Sequence, residues 1–396
     1  MQLTSKQEEG LKIAIERYKR KEKYTIISGY AGTGKSTLVK FIIAALAQYG
    51  INPDEDVIYT SFTGKATQVL QKKGNKNVST LHKLLYEYYP LPTGGFRRKP
   101  VYEIPYKIVV VDECSMVPKE LLQELYKKDV YILCLGDPGQ LPPLNKEDDN
   151  HLLDSPHIFL DEIMRQAAES EIIQLSMKIR NEEPIEYFQG KEIQILRKLD
   201  LNTGMLQWAD QIICATNATR VKLNNQMRDL LGRGDMPEDG DKVICLRNYW
   251  ETISDTKSAL VNGTIGYLED NFQSFLDIPY YFSSDGKGRK IDVVYANFIS
   301  DSDEHFDTLM MDKKMILEGE SSLDWKTTYK LNKNNRPIPM EFTYGYAITG
   351  HKSQGSEWNK VLVIEEKFPF NKEEHKRWLY TVCTRAAEKL VLIRPD

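Results

Sequence analysis

The sequence predicts an α/β protein with two parallel-sheet domains that share one phosphate-binding loop. Two observations carry that prediction. The stretch GYAGTGKS at residues 29–36 follows a strand-like run, KYTII, and precedes a helix-periodic run, TLVKFIIAALAQYG. Six apolar runs (DVIYTSF, KIVVVDE, VYILCLGD, QIICATN, VLVIEE and KLVLIRP) recur with helical segments between many of them. Such runs suit strands buried on both faces by helices. The first three fall before residue 140 and the others after residue 210, which gives two domains in 396 residues.

The loop has the spacing G-x-x-x-x-G-K-S, with Gly29, Gly34, Lys35 and Ser36 in the fixed places. Tyr24 to Ser28 is a short β-branched and aromatic run, read as a buried strand. Leu38, Phe41, Ile42, Ala45 and Leu46 recur at helical spacing, and Gly50 is placed to end that helix. The loop therefore opens a helix N-terminus, where unpaired N–H groups and the helix dipole favour anions. Gly32 and Gly34 allow close backbone approach to phosphate oxygens. Lys35 is expected to reach the β- and γ-phosphates of ATP and Ser36 to help hold Mg²⁺; Thr33 and Thr37 complete the lining.

A carboxylate at the end of a neighbouring strand is the second requirement of such a site. KIVVVDECSM supplies Asp112, expected to bind the metal, and Glu113, expected to activate the attacking water. In VYILCLGDPGQLPPL a strand ends at Gly136-Asp137, and a rigid turn holds Gln140 where it would sense the γ-phosphate.

Hydrophobic residues make up 41% and charged residues 28%, as in a globular protein, and no apolar run has the length to span a membrane. The five cysteines are far apart and form no metal-ligand pair, so buried reduced thiols are expected. A net charge of −4 argues against a uniformly basic nucleic-acid coat but leaves room for a locally basic groove. Residues 86–106, YEYYPLPTGGFRRKPVYEIPY, read as a small hairpin with a Gly-Gly-Phe tip. Residues 253–337 mix short β-like runs with turn-rich charged linkers and read as a β-rich insertion, a partly open barrel.

Taken in order, LTSKQ, GYAGTGKST, SFTGKATQVL, STLHKLL, VVVDECSM, GDPGQLPPL, LDEIMRQ, CATNATRVKLN, YAITGHKSQGSEW and LYTVCTRAAEKL make the chain resemble a superfamily 1 helicase of the RecD and Dda type over nearly its whole length. The resemblance implies two RecA-like domains, 1–155 and 156–252 with 338–396, and an SH3-like module at 253–337. It implies that Gln7 reads the adenine edge, since one amide both donates and accepts. Arg165 and Arg385 would reach the γ-phosphate from the second domain, and Gln354, Gly355 and Glu357 would lie on the nucleotide side. Thr63, Lys65, His82, Asn217, Arg220, Thr349, His351 and Lys352 would contact the nucleic acid.

The same resemblance implies 5′-to-3′ movement on single-stranded DNA, with one ATP clasped between the domains. Residues after GDPGQ read LPPLNKEDD, with no aromatic on which bases would stack, so phosphate gripping is expected. Phe96 and Arg97 of the hairpin would act at a junction of single and double strands, although Phe96 serves equally as a plug for a local apolar cluster. The expected partners are single-stranded DNA, its duplex junctions, and proteins of replication or recombination. The protein is expected to be monomeric and cytoplasmic, in a bacterial or phage-infected cell. A translocase that strips proteins from DNA, an RNA helicase and a regulatory NTP switch are the alternatives.

Overall fold

The computed structural model describes residues 3–90, 96–142, 150–256, 259–366 and 371–395. The chain divides into two compact units. Unit 1 comprises Met1–Glu87, Lys99–Ala215 and Thr349–Asp396; unit 2 comprises Tyr88–Arg98 and Thr216–Ile348.

Unit 1 holds two sheets. The chain first lays down β1 (Tyr24–Gly29), β2 (Val57–Ser61) and β3 (Val78–Thr80), then the hairpin β4 (Tyr86–Pro90) and β5 (Phe96–Pro100). It returns with β6 (Ile108–Val111), β7 (Tyr131–Gly136) and β8 (Ile158–Leu160). The six strands outside the hairpin form one parallel sheet in the order β3-β2-β6-β7-β1-β8. Alternation sends neighbouring side chains to opposite faces. Ile27, Ile108, Val110, Leu133 and Leu135 join the core under the helices Ser5–Lys19 and Lys35–Leu46. Ile26, Val109, Val111, Ile132 and Cys134 join the opposite core, with Leu121 and Leu125 of the helix Lys119–Tyr126. Burial on both faces explains why these strands read as unbroken apolar runs.

The second sheet contains β9 (Phe188–Gln189), β10 (Ile193–Arg197) and β11 (Gln211–Cys214), joined by two strands from near the C-terminus. In unit 2 follow β12 (Lys242–Cys245), the ribbon β13 (Tyr249–Ile253) and β14 (Ala259–Leu260), β15 (Ile265–Ile278), β16 (Arg289–Ser300), β17 (His305–Asp312) and β18 (Phe342–Tyr344). After β19 (Ala347–Thr349), where the chain passes back to unit 1, come β20 (Trp358–Ile364) and β21 (Ala386–Arg394). Strands β11, β20, β21 and β10 are parallel neighbours in that order, and β9 closes the edge antiparallel to β10.

Two expected boundaries shift. The first sheet runs to Leu160 rather than ending at 155, because β8 pairs with β1. The β-rich insertion is wider than 253–337: its five-stranded antiparallel sheet, β17-β16-β15-β12-β18, takes in Lys242–Cys245 and Phe342–Tyr344. KVIC and FTY are short and fully buried, and a short apolar run does not reveal which distant strand it will join. All five cysteines are buried free thiols. Among the described residues no helix is long and apolar enough to cross a membrane.

Unit 2 is anchored by a buried ion pair. Arg228 meets Asp241 through two bonds of 3.1 and 3.2 Å, lies 4.4 Å from the Tyr344 ring, and Tyr346 donates to the same carboxylate at 2.9 Å. Removing one partner of such a pair strands the other charge away from water. Arg228→Ala is expected to cost about 3–5 kcal/mol of stability, read from urea denaturation; a loss below about 1 kcal/mol would show that the pair does not anchor the unit.

Candidate active site

Parallel strands end at the same edge, and β6, β7 and β1 are adjacent. Val111 pairs with Cys134 and Ser28 with Gly136, so the residues that follow all three strands leave the sheet side by side. From β1 comes the phosphate loop, from β6 Asp112 and Glu113, from β7 Asp137 and Gln140. The site is built at the carboxyl ends of a parallel sheet, as open α/β sheets build theirs.

The loop is shaped by two left-handed glycines, Gly32 (φ 78°) and Gly34 (φ 77°). Gly34 caps the helix Lys35–Leu46, and a Cβ there would collide with Met164 Sδ and Gln7 Nε2. Lys35 Nζ donates to the carbonyls of Gly29 (2.6 Å) and Tyr30 (3.0 Å), and Thr33 Oγ1 donates to Tyr30 O (2.8 Å). A cavity of about 350 Å³ lies over the loop, lined by Gly32, Gly34, Lys35, Ser36, Thr37 and residues Tyr30, Met164 and Ala167. The expected cofactor residues 32 and 34–37 thus come together around one space, with Thr33 buried beneath it.

Gln7, expected to read the adenine edge, stands at the junction of the first helix and the phosphate loop. Its side chain is fully buried, with Oε1 accepting from Thr4 N (3.0 Å) and Nε2 donating to Thr33 O (3.1 Å). It completes a capping box at the first helix and ties that helix to the phosphate loop. Gly355 and Glu357 do not line the cavity: Gly355 (φ 71°) lies against Thr63 and Ala66, and Glu357 pairs with Lys73 at 3.8 Å.

Burial, and next the charge of Glu113, push the Asp112 carboxyl above the usual carboxylate range. Glu113 stands in the left-handed region (φ 50°), and its N–H donates to Asp112 Oδ1 (3.0 Å). Oriented so that nitrogen faces an acceptor and oxygen a donor, the Gln140 amide donates to Glu113 Oε2 (3.2 Å) and accepts from Arg385 (3.2 Å). Arg385 is buried and follows the helix Lys372–Cys383; it also donates to Thr381 O (3.0 Å) and Ser356 O (3.3 Å). One amide therefore joins a carboxylate of the first sheet to an arginine of the second. Arg165 opens the short helix Arg165–Ala168 beside the cavity residues Met164 and Ala167, and its side chain lies outside the described residues.

Further contacts come from the helix Lys372–Cys383, through Tyr380 and Thr381, and from Gln354. Tyr380 OH accepts from Ala31 N in the loop (2.8 Å) and donates to Asp137 Oδ2 (2.8 Å). Burial raises both the Tyr380 hydroxyl and the Asp137 carboxyl above their ordinary values. Thr381 Oγ1 accepts from Leu141 N (2.8 Å), and Gln354 Nε2 donates to Leu141 O (2.7 Å). Gln354 was expected on the nucleotide side, whereas for Tyr380 and Thr381 the sequence signal is their proximity to Arg385.

The residues expected on the nucleic-acid track divide between the units. In unit 1, Thr63 caps the helix Gly64–Lys72 by accepting from Ala66 N (3.2 Å), and Lys65 Nζ lies 4.5 Å from the Trp358 ring centroid. His82 sits between the rings of Phe62 and Tyr86. Thr349, His351 and Lys352 mark the start of a 3₁₀ turn, and burial lowers the His351 pKa. In unit 2, Asn217 begins the helix Asn217–Leu230, and Arg220 donates to Asn217 Oδ1 (3.2 Å) and Thr343 Oγ1 (3.0 Å). Phe96 and Arg97 begin β5, and their side chains lie outside the described residues.

A family model described as a AAA domain matches residues 2–198, and one described as a UvrD-like helicase C-terminal domain matches residues 344–393. The chain is 26% identical over 379 residues to an ATP-dependent RecD2 DNA helicase of Deinococcus radiodurans, covering 92% of this chain and 46% of that protein. It is 32% identical over 152 residues to the ATP-dependent DNA helicase dda of Enterobacteria phage T4, covering 36% of this chain and 33% of the phage protein. The chain thus spans less than half the length of either relative. A crystal structure of Bacteroides Pif1 bound to ssDNA has the same fold, with a TM-score of 0.52 at 18% identity, covering 100% of this chain and 95% of that one.

Tyr380→Phe removes a donor from a buried carboxylate and an acceptor from a loop N–H. The expected cost is about 1.5–3 kcal/mol, measured as a shift in the urea midpoint of the whole chain; an unchanged midpoint would mean that water replaces the hydroxyl.

Proposed function

We propose that this chain, which belongs to the superfamily 1 helicases of the RecD/Dda/Pif1 type, is an ATP-driven motor that moves 5′ to 3′ along single-stranded DNA and separates duplex ahead of it. The observation that carries the reading is the Gln140 amide, held between Glu113 and Arg385. It connects the group that would activate water on one sheet to the group that would meet the γ-phosphate from the other.

The chemistry follows from the positions. ATP phosphates would lie over residues 32–37, with Lys35 turning from the Gly29 and Tyr30 carbonyls to the phosphate oxygens. Ser36 and Asp112 are an all-oxygen donor set that suits Mg²⁺, which completes its shell with phosphate and water oxygens. Asp112, desolvated and crowded by the charge of Glu113, fits a nearby cation. Mg²⁺, when bound, would neutralise charge on the phosphates. Glu113 would take a proton from the attacking water as its oxygen bonds to the γ-phosphorus and the bond to the bridging oxygen breaks. Arg385 would stabilise charge on the transferring group; removal of such an arginine costs roughly 10³- to 10⁵-fold in rate. Loss of the γ-phosphate would release the clasp through Gln140 and Tyr380, shifting the two sheets between two states.

The polarity rests on family type and on the absence of an aromatic in LPPLNKEDD. The hairpin β4–β5 is assigned the wedge, with Phe96 stacking on the last base pair. Stacking is worth about 1–3 kcal/mol per base, against about 1.4 kcal/mol for a DNA step, so one ring is enough to capture a frayed pair.

Duplexes with a 5′ or a 3′ single-stranded tail test the whole reading. Unwinding is expected from the 5′ tail only, with DNA-stimulated ATP hydrolysis, and both are lost in Lys35→Ala. Stimulated hydrolysis without strand separation from either tail would instead indicate a translocase. Phe96→Ala is expected to slow unwinding and spare DNA-stimulated hydrolysis; equal loss of both would remove the wedge assignment.

A further inference from the structure

The long hairpin β15–β16 ends in a turn at residues 279–288, and the helix Trp325–Lys333 docks against it. Ser284 N donates to Thr327 Oγ1 (3.1 Å), Ser284 Oγ to Asp324 Oδ2 (2.9 Å), and Lys330 Nζ to Ser283 O (2.9 Å). Beneath these bonds Phe282, Leu323 and Leu331 share an apolar cluster with Ile278 and Val293. Turn and helix are therefore one rigid piece within unit 2.

Four large rings stay outside that cluster. Tyr280 is 65% exposed, Tyr281 55%, Trp325 74% and Tyr329 62%. Trp325 and Tyr329 are one helical turn apart on the same face, away from the buried Thr327 and Leu331. Single exposed rings need no explanation, but several at one end of one small module indicate an interaction surface.

The charge around the rings selects the occupant. Between Ser322 and Ile338 stand Lys326, Lys330, Lys333 and Arg336 against one carboxylate, Asp324, which already pairs with Arg289 at 3.0 Å. This cationic stretch lies in a chain whose net charge is −4. Flat rings interleaved with cations match a polymer of flat bases joined by phosphates. An acidic peptide would use the cations and leave the rings in water; an apolar peptide would do the reverse.

We propose that this end of the β15–β16 hairpin is an additional single-stranded DNA site. Tyr280, Tyr281, Trp325 and Tyr329 stack on bases, while Lys326 and Lys333 meet phosphates. None of these residues belongs to the predicted track. The inference rests on the reading of the chain as a DNA motor and adds to it a second hold on the strand.

The test titrates the full chain with labelled oligothymidylates of about eight and about forty nucleotides, a length for one groove and a length for two. The variants are Trp325→Ala/Tyr329→Ala and Lys326→Glu/Lys333→Glu, all at exposed positions. The ring variant is expected to bind the long strand about 10-fold more weakly or worse. The lysine variant is expected to show a salt dependence shallower by roughly 1.4 in the log–log slope, two phosphate contacts on a single strand. Both should keep wild-type stimulation of ATP hydrolysis by the short strand. Unchanged long-strand binding in both variants would overturn the second site, and so would an equal loss of short-strand stimulation. Wild-type protein that binds neither strand would overturn the motor reading itself, a result distinguishable from both.

Discussion

Three adjacent parallel strands ending at one edge are the constraint from which the chemistry of unit 1 follows. Because β6, β7 and β1 are parallel and in register, a phosphate loop, a pair of carboxylates and a Gly-Asp turn emerge within reach of each other without any long-range loop to gather them. Strands of this kind are buried on both faces, so their side chains are committed to packing and only their ends are free for function. That division of labour is visible in the alternation of Ile26 with Ile27, Val109 with Val110 and Ile132 with Leu133 between two cores.

The second sheet meets this edge through polar contacts. The Tyr380 hydroxyl, the Thr381 hydroxyl, the Gln354 amide and the Arg385 guanidinium each bond to a loop that leaves β1 or β7, or to a side chain on one. Hydrogen bonds of this kind are directional and individually modest, about 0.5–1.5 kcal/mol net for neutral pairs. A seam with such bonds is specific yet separable, as the proposed opening and closing on a nucleotide requires. An apolar seam of the same extent would resist opening.

The phosphate loop, Asp112, Glu113 and Gln140 were legible in the sequence because each is a short local pattern tied to a strand end. Arg385 was legible through resemblance, and the structure adds the bond by which Gln140 holds it. Tyr380 and Thr381 were not legible: within LYTVCTR nothing distinguishes a tyrosine that packs from one that bonds to a loop some 350 positions earlier in the chain. Gln7 illustrates the converse. Its place in LTSKQ is compatible with both a base contact and a helix cap, and the structure adds the cap through its bonds to Thr4 and Thr33. The membership of β12 and β18 in the antiparallel sheet was hidden for a related reason, since partner choice between strands depends on residues far away.

Glu113 has the left-handed backbone that glycine and asparagine adopt with least strain. A glutamate there costs the fold of order 1–3 kcal/mol, and what its carboxylate does in return is accept the Gln140 amide. Relatives that have ceased to hydrolyse nucleotide would be released from the cost. Glycine or asparagine at the position after the strand-end aspartate would then mark a chain that keeps this architecture as a scaffold, and glutamate one that still turns over.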